Sequence, residues 1–439
     1  MTDLFAARSQ MAMSLAFHIV FAVVGMAMPL LMVIAEGMYL RTKDDSWLEL
    51  AKRWSKGTAV MFAVGAVSGT VLSFELGLLW PDFMERAGPL VGMPFSMEGF
   101  AFFLEAIFLG VYLYGWKKVP PKLHLAAGVG VLLSGVSSAV FVVAANAWMN
   151  TPTGFTLKAG ALIDIDPWAA MFNPAFPTQA LHMVIAAFAT VGFAVAGIHA
   201  LMILRGDRSQ FHVRALGIAM VVGGVAAFLQ PLSGDLSAKH VAEHQPVKLA
   251  AMEAHWETEG WAPLRIGGIP DEQAETTAYS IDIPGGLSFL SFMDPAAEVR
   301  SLKAFPREDR PPVTVVHIAF QVMVGCGMAM MGVAVLFGWR WWRGGKTVPT
   351  DPLTLKLLVA SAPLGLIALE AGWTVTEVGR QPWIIKGVLR TADAVTPMPH
   401  LAVPFMAFSA LYLMLGVVTV VLLQRIVFST PKEPEVTHA

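Results

Sequence analysis

The sequence is poor in charge and nearly devoid of cysteine. Of 439 residues, 14% are Asp, Glu, Lys or Arg and 56% are hydrophobic. A soluble domain carries roughly a quarter charged residues, so much of this surface must face something other than water. The net charge of −2 offers no basic surplus, which argues against nucleic acid as a partner. A single cysteine, Cys326, permits neither an intrachain disulfide nor a multi-cysteine metal site. No basic segment precedes the first apolar run and no cleavage motif follows it. The opening residues therefore read as a spanning helix rather than a cleaved signal. No internal repeat is visible, which leaves a duplicated transporter architecture without support.

What the chain has is long apolar runs, with a mean hydropathy of +0.61. A spanning helix needs about 20 mostly apolar residues. That rule places nine, near 12–36, 57–79, 97–116, 123–147, 178–204, 213–233, 314–342, 353–376 and 398–427. The expected fold class is thus an all-α, polytopic membrane helix bundle. The 25 Met and 13 Trp read mainly as packing and interface anchors. Alternate connections collect Arg41, Lys43, Lys52, Arg53, Lys56, Lys117, Lys118, Lys122, Arg205, Arg208, Arg214, Arg340, Arg343, Lys346 and Lys356. The opposite loops hold few: Arg86, Lys158, Arg380, Lys386 and Arg390. By the positive-inside rule the N-terminus is expected to be periplasmic and the C-terminus cytoplasmic.

The chain divides accordingly into six helices in 1–233, an outer connection at 234–313, three helices in 314–428 and a cytoplasmic tail at 429–439. A connection of that length is functional or disordered. Its stretch KLAAMEAHWETE (Lys248–Glu259) reads as an amphipathic helix and, with Trp256 and Trp261, as part of an ordered lid on the membrane surface.

Ionisable residues inside spans are costly and are functional candidates by default. His18, His182, Met323, Glu98, Glu105 and Glu370 all fall in the outer half of the bilayer on this topology. Glu98 is expected to open the third helix, with Glu105 seven residues on along the same face. Imidazole and thioether are axial donors to haem iron, and helix bundles hold haem between them. From spacing alone each residue also has an ordinary reading. A lone membrane histidine is more often a packing residue than a ligand, and Met is common filler. The carboxylates suit a proton path, a cation site or an interhelical bond. His199 and His317 near helix ends read as structural, and Glu75 either pairs with Arg8 or reaches the interface. Spacing by itself supports a redox or ion-handling membrane protein.

Specific strings narrow this. RSQMAMSLAFH (Arg8–His18), MEGFAFFLEAIFLG (Met97–Gly110), SAVFVVAANAWMN (Ser138–Asn150) and the His182 segment come first. QPVKLAAMEAHWET (Gln245–Thr258), GIPDE (Gly268–Glu272), FQVMVGCG (Phe320–Gly327) and LEAGWTVTEVGRQPW (Leu369–Trp383) follow. In combination, over nearly its whole length, the chain resembles subunit I of the cytochrome bd-type quinol oxidases. The resemblance implies a terminal respiratory oxidase of the bacterial inner membrane that oxidises quinol outside and reduces oxygen to water without pumping.

It also implies residue roles. His182 and Met323 would ligate a low-spin haem (b558). His18 and Glu370 would ligate two high-spin haems, one b595 and the other d or a second b, with the assignment between them open. Glu98 would be a further ligand or near neighbour there. Lys248 and Glu253 would serve quinol in the outer connection, called the Q loop. Glu105 and Ser138 would pass protons inward. Expected partners are subunit II, with a small single-helix subunit as a further candidate. Four positions depart from the family habit. Gln321 stands where Arg is common, Leu366 where Trp is frequent, Leu79 where Asn is common and Glu75 where Gln is frequent. These point to a divergent branch, with the cyanide-insensitive type as the expectation, and the Q loop lacks the long insertion of one subgroup, so the chain resembles a short-loop member. The rival readings are a membrane cytochrome b that does not reduce oxygen, needing only His182 and Met323, and a haem-free transporter using Glu98, Glu105 and Glu370.

Overall fold

The computed structural model describes residues 2–427, so the tail expected at 429–439 lies outside the described residues. The bundle consists of α1 (Asp3–Thr42), α2 (Asp45–Leu79), α3 (Pro81–Tyr114), α4 (Pro121–Asn150), a short α5 (Pro167–Met171), α6 (Phe176–Leu204) and α7 (Gln210–His244). After two short helices, α8 (Pro246–Met252) and α9 (Gly286–Phe292), it resumes with α10 (Val313–Arg343), α11 (Pro352–Ser361), α12 (Leu364–Val378) and α13 (Ala402–Val427). Among the described residues nine helices are long and apolar enough to cross a membrane, with α11 and α12 counting as one interrupted span. The all-α bundle is as the apolar runs require.

Helix extents differ from expectation where polar residues and prolines obscured them. α3 starts at Pro81, not near 97, and runs through Pro89 and Pro94. Arg86 is therefore on a helix, and Glu98 lies about five turns in rather than at the start. The extra turns have a reason. Phe83, Ala87, Leu90 and Val91 pack with Ala6, Trp80, Trp148 and Ile385 into a core at that end of the bundle. Helices whose outer turns are buried against each other need not stop where the apolar run stops. α7 likewise continues past Gly234 to His244, so the long connection begins at Gln245. α12 is set off from α11 at Ala362–Pro363, where proline supplies no N–H to continue the ladder.

The connection is ordered but not as expected. Helix α8 ends at Met252, and Ala254 takes a left-handed φ of 46°. The amphipathic helix expected over Lys248–Glu259 is thus cut short. A hairpin follows, β3 (Leu264–Asp271) antiparallel to β4 (Thr276–Ile283), unforeseen by the all-helical reading. Smaller hairpins at β1 (Thr156–Lys158) with β2 (Ala161–Ile163), and at β5 (Trp383–Ile385) with β6 (Leu389–Arg390), lie on the same end. Trp256 is buried and donates to Thr277 Oγ1 at 3.0 Å, pinning the hairpin, while Trp261 is 60% exposed.

The elements thus alternate between a hairpin end and a basic end where the Lys- and Arg-rich connections gather. Small residues set a close crossing of α6 and α7. A Cβ on Gly192 of α6 would lie 2.4 Å from Gly223 Cα on α7. Gly192→Ala is expected to force these helices apart at a cost of about 1–3 kcal/mol, read as a lower thermal midpoint of the purified protein. An unchanged midpoint would show that the crossing has slack.

Candidate functional site

One packing cluster draws together the helices that carry several of the candidate residues. Ile19, Val23 and Met26 of α1 meet Val136 and Ala139 of α4, Met183, Val184 and Ala187 of α6, and Leu366, Leu369 and Trp373 of α12. His18, Ser138, His182 and Glu370 are chain neighbours of these residues. Met323 joins from α10, where its Sδ lies 3.0 Å from the place a Cβ on Gly372 would occupy. Glycine at 372 lets the thioether lie against α12.

The two histidines share a local design that spacing did not reveal. His18 Nδ1 lies 2.9 Å from Ser68 Oγ, and the Ser68 hydroxyl donates to the Val64 carbonyl at 3.0 Å. His182 Nδ1 lies 3.0 Å from Ser233 Oγ, and Ser233 donates to the Gln230 carbonyl at 2.9 Å. A hydroxyl has one proton, and in each serine a carbonyl takes it, so the oxygen accepts from Nδ1–H. That places the lone pair on Nε2, the nitrogen left to bind a metal. At His182 the Gln230 amide now donates to Nε2 at 3.1 Å. Glycines lie against both rings. A Cβ on Gly69 would sit 3.0 Å from His18 Cε1, and one on Gly234 would sit 3.5 Å from His182 Cε1.

The carboxylates line one side. Ser138 donates to Glu98 Oε1 at 3.4 Å. Glu105 is buried two turns nearer the basic end, its carboxyl 3.3–3.4 Å from where Cβ atoms of Gly25 and Gly135 would be. Glu370 Oε1 is buried without a hydrogen-bond partner. Glu75 does not pair with Arg8, which is exposed; it accepts from Gln10 Nε2 at 2.8 Å. His199 lies 2.8 Å from His212, Nδ1 to Nδ1, and His317 ties α10 to the Met252 and Gly267 carbonyls at 2.7 and 3.0 Å.

At the hairpin end Lys248 and Glu253 point to different places. Lys248 Nζ donates to Asn150 Oδ1 at 2.5 Å and lines a cavity of about 210 Å³ with Asn150, Arg380, Trp383 and Lys386. Burial, reinforced by Arg380, pushes this ammonium well below its ordinary range, and burial brings Lys386 down to about 8. Glu253 does not line that cavity. It lies near Arg265, with Oε2 unpartnered, and burial lifts its carboxyl to about 7. The sequence reading also missed the buried grouping beside Lys248. Glu377 accepts from Asn146 Nδ2 and Arg380 Nη2, each at 2.5 Å, while Nε and Nη1 of the buried Arg380 have no partner. The i,i+4 spacing of Asn146 and Asn150 was the available signal. Gln321 holds the hairpin, accepting from Gly267 N and donating to the Arg265 carbonyl, both at 3.0 Å.

Among the described residues no three His, Cys, Asp or Glu gather as a metal cage. The donors stand singly on separate helices, as suits a prosthetic group that brings its own equatorial donors.

A family model described as cytochrome bd terminal oxidase subunit I matches residues 6–431. A Bacillus subtilis protein assigned as a cytochrome bd menaquinol oxidase subunit I is 39% identical over 96% of both chains. Subunit 1 of the cytochrome bd ubiquinol oxidase of the same organism is 32% identical, covering 97% of this chain and 93% of its own. Among solved structures, the bd oxidase from Geobacillus thermodenitrificans superposes with a TM-score of 0.90 at 40% identity, covering 97% and 98% of the two chains. Matched end to end in sequence and fold, this multi-pass protein of the bacterial cytoplasmic membrane belongs to the cytochrome bd terminal oxidase subunit I family.

Proposed function

We propose that the subunit works as a quinol:oxygen oxidoreductase, with His182 and Met323 holding a low-spin haem b558. His18 and Glu370 would hold the high-spin pair, b595 and either d or a second b, with Glu98 beside it. Haem, when bound, would supply one-electron storage and oxygen binding. The residues fit such groups. Each histidine presents Nε2 with Nδ1 anchored by serine, and Glu370 Oε1 is free. Arg380 also has two unpartnered N–H groups suited to a carboxylate such as a haem propionate. The observation that carries the reading is the meeting of neighbours of His18, His182 and Glu370 in one core cluster.

The remaining work is done by side chains. Quinol is oxidised at the hairpin end, on the periplasmic side. Glu253, poised near neutrality, takes its proton, and Lys248 with the cationic wall of the 210 Å³ cavity orients an oxygen. Glu105, Ser138 and Glu98 carry protons from the basic, cytoplasmic end toward the oxygen-reducing level. Charge then separates across the membrane without a pump. Subunit II completes the complex, with a small single-helix subunit as a further partner.

The test is oxygen consumption by the purified complex given a reduced quinol, together with its reduced-minus-oxidised spectrum. Quinol-driven oxygen uptake with b-haem bands is expected. A red-shifted chlorin band would select haem d over a second b. Haem bands without oxygen uptake would favour the non-oxidase cytochrome, and a colourless preparation the transporter.

A further inference from the structure

The bundle holds a second buried group of titratable side chains, at the basic end, which the roles above do not use. Glu36 of α1 and His124 of α4 are both 2% exposed. His124 Nδ1 lies 2.8 Å from Glu36 Oε1, and its Nε2 lies 2.9 Å from the Tyr112 carbonyl of α3. A carbonyl only accepts, so Nε2 carries a hydrogen whatever the charge of the ring. One proton is then shared along the Nδ1–Oε1 bond, giving either imidazole with carboxylic acid or imidazolium with carboxylate. The other carboxylate oxygen, Glu36 Oε2, is buried and has no hydrogen-bond partner. A second proton has that one vacant place to go, leaving imidazolium beside a neutral acid.

The position of the pair suits intake. His124 sits in the first turn of α4, directly under the Lys-rich α3–α4 connection. The Trp116 ring covers it at 4.0 Å between centroids, and Lys52 Nζ lies 5.6 Å over that indole. On the inner side the Tyr112 hydroxyl, also buried and unpartnered, borders Glu36. Tyr112 is seven residues from Glu105 on one face of α3, a rise of about 10 Å. The facing stripe of α4 is glycine at both levels: Gly128 lies against the Tyr112 ring and Gly135 against the Glu105 carboxyl.

We propose that Glu36, His124 and Tyr112 form the proton-loading group of this subunit, receiving protons at the basic end and passing them to Glu105. This rests on the oxidase reading above. A proton arriving from the aqueous side settles on Glu36 Oε2, and the same number leaves toward Glu105; no electrons move. The competing role is structural, a buried bond that merely ties α1, α3 and α4.

The test uses the purified complex and three variants. Glu36→Gln removes the loading oxygen. His124→Gln can keep both hydrogen bonds but cannot hold a proton on either side of one. Glu36→Asp restores an acid. In the first two, quinol-driven turnover is expected to fall at least about tenfold. Haem content should be unchanged, haem more reduced in the steady state, and the solvent deuterium isotope effect larger. Glu36→Asp should recover much of the rate. Turnover within about twofold of the unaltered complex in His124→Gln overturns the proposal, whatever Glu36→Gln does. Should both Gln variants fail to assemble, carbodiimide treatment of the unaltered complex decides. Loss of turnover in step with the fraction of Glu36 modified supports the role, and full turnover with Glu36 modified overturns it. An unaltered complex that consumes no oxygen would instead reject the function on which the proposal rests.

Discussion

Replacing His182 with alanine is expected to remove the low-spin haem bands from the reduced spectrum and to abolish quinol-driven oxygen consumption. The two side chains that hydrogen-bond the ring cannot substitute for it. Gln230 is an amide, and Ser233 is already committed to a carbonyl. The sharper experiment is Ser233→Ala. It leaves Nε2 in place but removes the acceptor that holds Nδ1–H, so the ring can turn and its tautomer is no longer fixed. Loss of such a supporting bond typically costs roughly 10–100-fold in metal affinity or activity. Ser233→Ala should therefore retain the bands at high haem supply, lose haem more readily on dilution, and show a shifted midpoint potential. Ser68→Ala is expected to do the same at the high-spin level through His18. Unaltered spectra in His182→Ala would reject the ligand assignment and, with it, the electron route.

Glu253→Gln carries the second large effect. A general base works only when ionised, and burial has lifted this carboxyl to about 7. Below about 7 the acid already holds its proton and cannot accept one from quinol, so the rate of the unaltered complex climbs as pH rises through that value. Glutamine has no ionised form. The variant should lose that limb of the profile and turn over more slowly by about 10²-fold or more, with haem content unchanged. A full rate with the same pH limb would remove Glu253 from the mechanism. Lys248→Met separates the two positions, since the lysine lines a cavity that Glu253 does not reach. It should weaken quinol use while leaving the pH limb at about 7 in place.

Apolar runs by themselves determined the number of spans and the alternation of ends, because a spanning helix must be about 20 apolar residues long and the charges between spans accumulate on one side. His18, His182 and Glu370 stood out in the sequence only as ionisable groups inside spans. The outer turns of α3 and α7 were not legible, because Pro89, Pro94 and the charges after Gly234 resemble a loop until packing against Trp148, Ile385 and the connection is seen. Only the tertiary structure decided which nitrogen of His18 and of His182 meets a serine, that Glu75 meets Gln10 rather than Arg8, and that Lys248 and Glu253 face apart. It also brought Glu36 to His124 across 88 positions of sequence. Composition and periodicity report where a residue sits along its own helix. A hydrogen bond depends on how two helices are rotated against each other, and that is set by contacts such as Gly192 on Gly223.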